Sequence, residues 1–159
     1  MNIVKQVKVN MVNNKFSLDI ISNFDVNNNK ISTPSDVNIF YNEVIRKINY
    51  IDENKESVIV LIINTKNYLK YFNLCGIGVL DCCLVYPTEV LKPVIVSGCN
   101  SLILVHNHPS GDINASSEDI KITRDIVNSS KLLGLKMLDH IIVGENNFNS
   151  LRESGQVIF

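Results

Sequence analysis

The stretch ESVIVLIIN at positions 56–64 constrains the fold most strongly, because it is β-branched and almost continuously apolar. A strand with one face in solvent alternates between apolar and polar residues, whereas a strand covered on both faces is apolar throughout. We therefore expect a central strand at 56–64, in a sheet that carries other elements on both faces.

Strands and helices interleave along the rest of the chain. Capping residues and prolines predict helices at 33–49, 87–98 and 116–133, and Pro93 should kink or shorten the second of these. Further strands are predicted at 3–9 and 16–21 as a hairpin, at 68–75 and 78–85 on either side of a Gly76-Ile77-Gly78 break, at 101–105, at 136–144 and in the final segment 148–159.

This order predicts one domain over residues 1–159, of the α/β or α+β class, with three helices flanking a single sheet. The connections at 65–67 and 145–147 are too short for crossovers between parallel strands. The sheet is therefore expected to be mixed.

Composition and charge narrow the classes of function. The 159 residues carry a formal net charge of −1 and only 7% aromatics, and no basic stripe appears, so a nucleic-acid partner is not supported. No signal peptide or membrane-spanning run is evident, and the four cysteines form no C-x-x-C pair. We expect a cytoplasmic protein with reduced thiols, in which one residue of the adjacent pair Cys82-Cys83 is exposed.

The segment LVHNHPSGDINASSEDI at 104–120 contains the residues most suited to chemistry. If the strand at 101–105 continues into His106 and His108, its alternation places both imidazoles on one face. Two neighbouring imidazoles repel each other when both are protonated, whereas a divalent metal can take a lone pair from each neutral ring. The pattern therefore favours a metal site, with a polar loop as the alternative.

Ser116 and Asp119 follow at the spacing of a helix capping box, which by itself explains both residues structurally. A carboxylate in the first helical turn also points back toward the chain that enters the helix, where the histidines lie. Two histidines and one carboxylate would leave a tetrahedral zinc ion with one open position, as in catalytic zinc sites. Capping and metal binding by Asp119 are therefore compatible.

The string His106-x-His108-Pro109 followed by Ser116-x-x-Asp119 resembles the metal signature of the JAB/MPN (JAMM) zinc metallopeptidases. The runs VHNHPSGD, YPTEVLKPVI and LLGLKMLDHIIVG resemble more narrowly the RadC-like branch, over residues 33–153. The resemblance implies a cytidine-deaminase-like curved sheet flanked by helices. It also implies that a Zn²⁺ cofactor is bound by His106, His108 and Asp119, with Ser116 beside the metal-bound water.

The resemblance further implies an upstream glutamate that acts as general acid and base. Glu56, at the start of the apolar run, matches best, and Glu89 in the TEV helix start is the alternative. Two departures stand out. Residues 1–32 are too short and strand-like for the family's N-terminal helical region, so this resembles a short form, and Tyr86 stands where the family often has histidine. Asp139-His140 matches the family string and is expected as a core pair or as a partner that orients a zinc histidine.

Together these features predict a zinc-dependent hydrolase of a peptide or isopeptide amide bond, acting on an unknown protein or peptide conjugate. Two alternatives stay open, namely a RadC-type DNA-repair or mobile-element accessory protein and a metal-binding scaffold without turnover. The final segment 148–159 could also pair as an edge strand with a second copy to form a homodimer.

Overall fold

The computed structural model describes residues 2–78 and 85–159. In these ranges seven strands form one mixed sheet in the order β2-β1-β4-β3-β5-β6-β7, and three helices flank it. The strands are β1 Asn2–Val12, β2 Lys15–Val26, β3 Ser57–Ile63, β4 Leu69–Ile77, β5 Ser101–Asn107, β6 Lys136–Val143 and β7 Phe148–Ser150; the helices are α1 Pro34–Glu43, α2 Pro87–Ser97 and α3 Ser117–Leu132.

The predicted central strand is confirmed. Every residue of β3 is buried, and β3 pairs antiparallel with β4 on one side and with β5 on the other. The β1–β4 and β5–β6 pairs are parallel, so the sheet is mixed, as expected from the short connections. Burial of a whole strand on both faces removes much apolar surface from water and makes this region the centre of the core.

Alternation along the strands gives the sheet two apolar faces. Ile59, Leu61 and Ile63 face a cluster that includes residues of α1, and Val58 and Val60 face a second cluster with residues of α2 and α3. The chain therefore has helices on both sides of the sheet, as the apolar run requires. Among the described residues no helix is long and apolar enough to cross a membrane.

The predicted N-terminal hairpin is confirmed and is longer than the expected 3–9 and 16–21. Strands β1 and β2 pair over their whole lengths around a two-residue turn at Asn13 and Asn14, whose φ angles are 50° and 59°. Asparagine tolerates this left-handed conformation better than most residues do. The hairpin joins the sheet through a short parallel contact between β1 and β4.

The helices begin where capping residues predict. The Thr33 and Ser116 side chains each form a reciprocal capping box, with Asp36 and Asp119 respectively. Helix α1 ends at Glu43 rather than near residue 49, and a 3₁₀ turn at Ile45–Lys47 follows it.

Two predictions that relied on helix- or strand-breaking residues, one at Pro93 and one at Gly76-Ile77-Gly78, differ from the structure. Of the two predicted effects of Pro93, a kink or a shortening, the shortening does not occur, because α2 continues through Pro93 to Ser97; Gly98 ends the helix at a φ of 72°. The expected break at Gly76-Ile77-Gly78 is also wrong in part, because β4 runs through Gly76 to Ile77. Most of the predicted strand 78–85, with Cys82 and Cys83, lies outside the described residues.

The C-terminal segment forms less strand than predicted. Strand β7 covers only Phe148–Ser150, pairs with β6 at the edge of the sheet and is followed by turns. Pairing of this segment with a second copy stays a prediction.

Candidate metal centre

Strand β5 carries the histidine pair to the end of the sheet. His106 belongs to the strand and His108 follows its last residue, Asn107. The rings lie edge to face with their centroids 4.7 Å apart. The β5 side chains Leu102 and Leu104 point into the cluster beneath α2 and α3, so alternation places His106 on that same face.

Helix α3 presents Asp119 to both histidines. The backbone N–H and the hydroxyl of Ser116 each donate to Asp119 Oδ2 at 2.8 Å, and the Asp119 N–H donates to Ser116 Oγ at 3.0 Å. Asp119 Oδ1 lies 3.0 Å from His106 Nδ1, and Oδ2 lies 3.5 Å from His108 Nε2. The carboxylate therefore takes part in the capping box at the start of α3 and also faces both imidazoles.

Glu56 approaches from the start of β3. The antiparallel register places Val58 opposite His106, so Glu56, two residues earlier, projects toward the histidines. Glu56 Oε2 lies 3.6 Å from His106 Nε2, and the glutamate side chain is only 15% exposed.

Asn107 fixes the distance between β3 and the histidines, a role that the sequence did not reveal. Its Oδ1 accepts hydrogen bonds from the Ser57 N–H at 2.8 Å and the Ser57 hydroxyl at 2.6 Å, and its Nδ2 donates to the Lys55 carbonyl at 3.1 Å. Because Lys55 and Ser57 flank Glu56, the amide holds the glutamate's backbone in place. The only hint of this role in the sequence is the position of Asn107 between the two histidines.

Glu56, His106 and His108 form a group that could hold a metal ion, since each offers one ligand atom and these atoms all lie within 4.8 Å of one another. Asp119 adds a carboxylate within 3.5 Å of both imidazoles. The structure thus brings together the three predicted ligands, and Glu56 and Ser116 lie beside them. It also shows Glu56 as a possible ligand rather than only a neighbour of the metal.

Hydrogen bonding fixes the tautomer of His108. Its Nδ1 lies 2.6 Å from the carbonyl oxygen of Asp112, which can only accept, so Nδ1 carries the proton and donates. Nε2 of the neutral ring therefore keeps its lone pair on the side of Asp119. A carbonyl that holds the distal nitrogen in this way is typical of metal-binding histidines.

Glu56, His106, His108 and Asp119 form one cluster, and their mutual pairing shifts their pKa values. The histidine pKa values rise and the carboxylate pKa values fall. Burial alone would lower the pKa of His106, but pairing with the carboxylates of Asp119 and Glu56 outweighs burial and raises that pKa to about 9. Pairing of the protonated ring with the Asp119 carboxylate is also the main cause that raises the pKa of His108. Without a metal, His106 therefore holds its extra proton at neutral pH, between Asp119 and Glu56.

The carboxylates shift the other way. Pairing with His106, whose Nε2 lies 3.6 Å from Glu56 Oε2, lowers the pKa of Glu56 despite partial burial. Burial would raise the pKa of Asp119, yet hydrogen bonds from His106, His108 and Ser116 hold it well below the usual range. Both acids are therefore ionised at neutral pH and can act as a proton acceptor or as metal ligands.

Glu89 lies elsewhere in the fold. It lies in the first turn of α2, is exposed, and forms an ion pair with Lys92 at 2.9 Å. Among the described contacts of the histidines and Asp119, Glu56 appears and Glu89 does not.

Asp139 and His140 separate to opposite faces of β6. Asp139 accepts hydrogen bonds from the Ser150 hydroxyl at 2.5 Å and the Arg152 N–H at 3.2 Å, so it is satisfied within the core. His140 lies on the same face of the sheet as His106. The two rings are stacked, with centroids 6.1 Å apart and planes inclined by 16°. Complete burial lowers the pKa of His140 to about 3, so this ring is neutral.

Two pockets border the cluster. One, of about 300 Å³, has His106, Asp119 and His140 on its wall. Its apolar lining residues are Val58, Val85, Pro87, Leu104 and Ile122. The other, of about 490 Å³, is more polar and reaches His108 and Asn107 from the side of Arg46. The candidate ligands are therefore reachable from both sides of the β5 end.

Comparisons with known proteins identify the family of this chain. A family model described as the RadC-like JAB domain matches residues 31–156, which leaves the β1–β2 hairpin outside the match. A UPF0758 protein of Clostridium botulinum (strain Langeland) is 42% identical over 131 residues, which cover 82% of this chain and 55% of the relative. A UPF0758 protein of Methanosarcina mazei is 41% identical over 128 residues, with 80% and 54% covered.

The chain thus spans about half the length of the curated relatives that it matches. The family match covers most of the chain and includes all the residues of the cluster. The chain belongs to the RadC-like JAB domain family.

Proposed function

We propose that this protein is a zinc-dependent hydrolase of peptide or isopeptide amide bonds. The observation that carries the proposal is the convergence of Glu56, His106 and His108, whose ligand atoms lie within 4.8 Å of one another, with Asp119 beside both histidines. Two imidazoles and a carboxylate are the donor set of many catalytic zinc sites.

The residues present fit a zinc ion. His106 Nε2 is buried and has no hydrogen-bond partner among the described residues, and the tautomer of His108 leaves Nε2 without a proton. Both rings therefore have a nitrogen for which a cation would be the natural partner. A zinc ion held here would lower the pKa of water and polarise an amide carbonyl.

Glu56 would move the proton. Its lowered pKa keeps the carboxylate ionised, so it can take a proton from water and later deliver it to the leaving nitrogen of the amide. The clamp between Asn107 and Ser57 holds the backbone on which Glu56 sits. A glutamate in this position favours an active hydrolase over a scaffold that only binds metal.

Ser116 would stabilise the ionised Asp119 and donate toward the developing oxyanion. Its hydroxyl points at Asp119 Oδ2 at 2.8 Å. Donation to an oxyanion therefore requires the hydroxyl to turn away from that carboxylate. A single such donor typically contributes a few kcal/mol to catalysis.

The pocket beside His106 suggests how a substrate would be held. Its volume of about 300 Å³ is at the lower end for a ligand site, which suits one side chain better than a cofactor. Leu104, Val58 and Ile122 give it an apolar wall. We therefore propose a substrate with an apolar residue next to the scissile amide, as part of a protein or peptide conjugate.

The test compares the wild-type protein with Glu56→Gln, both loaded with zinc, on peptide and isopeptide libraries read by mass spectrometry. Glu89→Gln is the matched control, because it changes a glutamate outside the cluster. We expect cleavage by wild type and Glu89→Gln, loss on chelation, and at least about a 100-fold lower rate for Glu56→Gln, as for a general acid–base residue. Equal rates for Glu56→Gln and wild type would contradict the proposed role of Glu56.

A further inference from the structure

Two buried residues, Thr123 and His140, contact the proposed metal ligands without being ligands themselves. Thr123 contacts Asp119, and the ring of His140 stacks on that of His106. Thr123 is fully buried on α3, one turn after Asp119, and His140 is fully buried on β6. We propose that Thr123 and His140 form a positioning pair that fixes Asp119 and His106 in the geometry required for metal binding. This inference rests on the proposed function, and it gives a role to two residues that are not proposed metal ligands.

A chain of two hydrogen bonds links His140 to the backbone of Asp119. Thr123 Oγ1 lies 2.5 Å from the carbonyl oxygen of Asp119, and two oxygens at this distance need a proton between them. The carbonyl cannot donate, so the Thr123 hydroxyl donates to it. His140 Nδ1, 2.6 Å from Thr123 Oγ1, must then carry a proton and donate to the hydroxyl oxygen.

The ring of His140 restrains His106 from the other side. The two imidazoles are nearly parallel, with centroids 6.1 Å apart, while the His108 ring meets His106 edge-on at 4.7 Å. His106 is thus enclosed between two rings and the Asp119 carboxylate. This enclosure leaves it little freedom to change rotamer.

His140 carries a cost that packing alone does not explain. With Nδ1 protonated, Nε2 is a buried acceptor, and it has no hydrogen-bond partner among the described residues. A buried acceptor without a partner destabilises the folded state, and an apolar ring of similar shape would avoid this. Residues that lower stability in this way concentrate at functional sites.

The experiment measures Zn²⁺ affinity by chelator competition, the visible spectrum of the Co²⁺-loaded protein, and the Tm of the metal-free protein. The variants are Thr123→Val, which keeps the shape but removes the hydroxyl, Thr123→Ser, which restores the hydroxyl, and His140→Phe. Ile126→Val is the matched control, because Ile126 is fully buried on the same helix.

We expect Thr123→Val and His140→Phe to bind Zn²⁺ at least about 10-fold more weakly and to change the Co²⁺ spectrum, as is typical when partners of metal ligands are lost. Thr123→Ser should return to within about 3-fold of wild type. His140→Phe should keep or raise the Tm of the metal-free protein, whereas Ile126→Val should lower the Tm and leave affinity and spectrum unchanged.

Wild-type affinity and spectrum in both Thr123→Val and His140→Phe would overturn the positioning role alone. His140→Gln serves if the phenylalanine variant does not fold, with the same loss of affinity expected. Absence of metal binding by the wild-type protein would instead overturn the proposed function together with this inference.

Discussion

Asp119 Oδ1 lies 3.0 Å from His106 Nδ1, while Oδ2 of the same carboxylate accepts the hydrogen bonds that begin helix α3. The end of the helix and the cluster therefore share one side chain. The helix positions the carboxylate, and the carboxylate in turn positions the imidazole. Changes at Ser116 and Asp119 should separate these two functions.

Ser116→Ala removes the hydroxyl of the capping box and leaves the Asp119 carboxylate in place. We expect a loss of about 1 kcal/mol in the free energy of unfolding, the usual cost of a lost cap, and weaker metal binding. Asp119→Asn should keep more of the cap, since its amide oxygen still accepts, but bind zinc far more weakly. Chemical denaturation and chelator competition measure the two effects. Equal zinc affinity in Asp119→Asn and wild type would exclude Asp119 as a ligand.

Stability of the metal-free protein should be highest near pH 6.5. The pKa of His106 rises from 6.5 to about 9 on folding, so its stabilisation is complete below pH 6.5 and is lost as pH rises toward 9. The pKa of His140 falls from 6.5 to about 3, so stability is lost as pH falls below 6.5.

Each flank should change by roughly 1–3 kcal/mol, as measured by urea denaturation from pH 4 to 9.5. His106→Asn should flatten the alkaline flank, and His140→Gln the acid flank. Identical pH profiles for wild type and His106→Asn would show that His106 does not hold its proton as the structure indicates.

Metal binding should release protons. Because His106 is protonated below about pH 9 in the metal-free cluster, zinc must displace that proton, and the affinity should rise about 10-fold per pH unit from pH 6.5 to 8.5. Calorimetry in two buffers of different ionisation enthalpy would count the protons. An affinity that does not change with pH would contradict the proposal that His106 is a ligand.

Asn107→Ala should disturb the Glu56 side of the cluster. It leaves the buried N–H of Ser57 without its partner, which typically costs about 1–3 kcal/mol, and it frees the backbone around Glu56. We expect a lower Tm and slower hydrolysis, with zinc content kept by the two histidines. Asn27→Ala, at an exposed bend after β2 and outside both pockets, is the control and should change neither property. Full activity in Asn107→Ala would show that the hydrogen bonds of Asn107 to Lys55 and Ser57 are not needed to position Glu56.

The sequence predicted the parts of the fold that depend on local patterns. An uninterrupted, β-branched apolar run predicted a strand covered on both faces, and the capping serine marked both the helix start and a carboxylate near the histidines. Contacts between distant segments were less accessible. Nothing in the sequence distinguished Asn107 from an ordinary loop amide, because its role depends on the register between β3 and β5.

Other predictions failed because tertiary structure overrides local preference. Two glycines suggested a break at 76–78, yet pairing with β3 carries β4 through Gly76. Asp139 and His140 are both buried, as expected for core residues, but the sequence did not show that strand alternation sends them to opposite faces, where Ser150 satisfies one and Thr123 contacts the other.

Metal content is the sharpest measurement of whether His106 and His108 hold a zinc ion. Protein purified without chelators, and again after reloading with zinc, would be analysed by mass spectrometry for metal beside a His106→Ala/His108→Ala variant. We expect close to one zinc per wild-type chain and almost none in the variant. Absence of stoichiometric zinc in the reloaded wild type, or equal zinc in both proteins, would contradict this expectation.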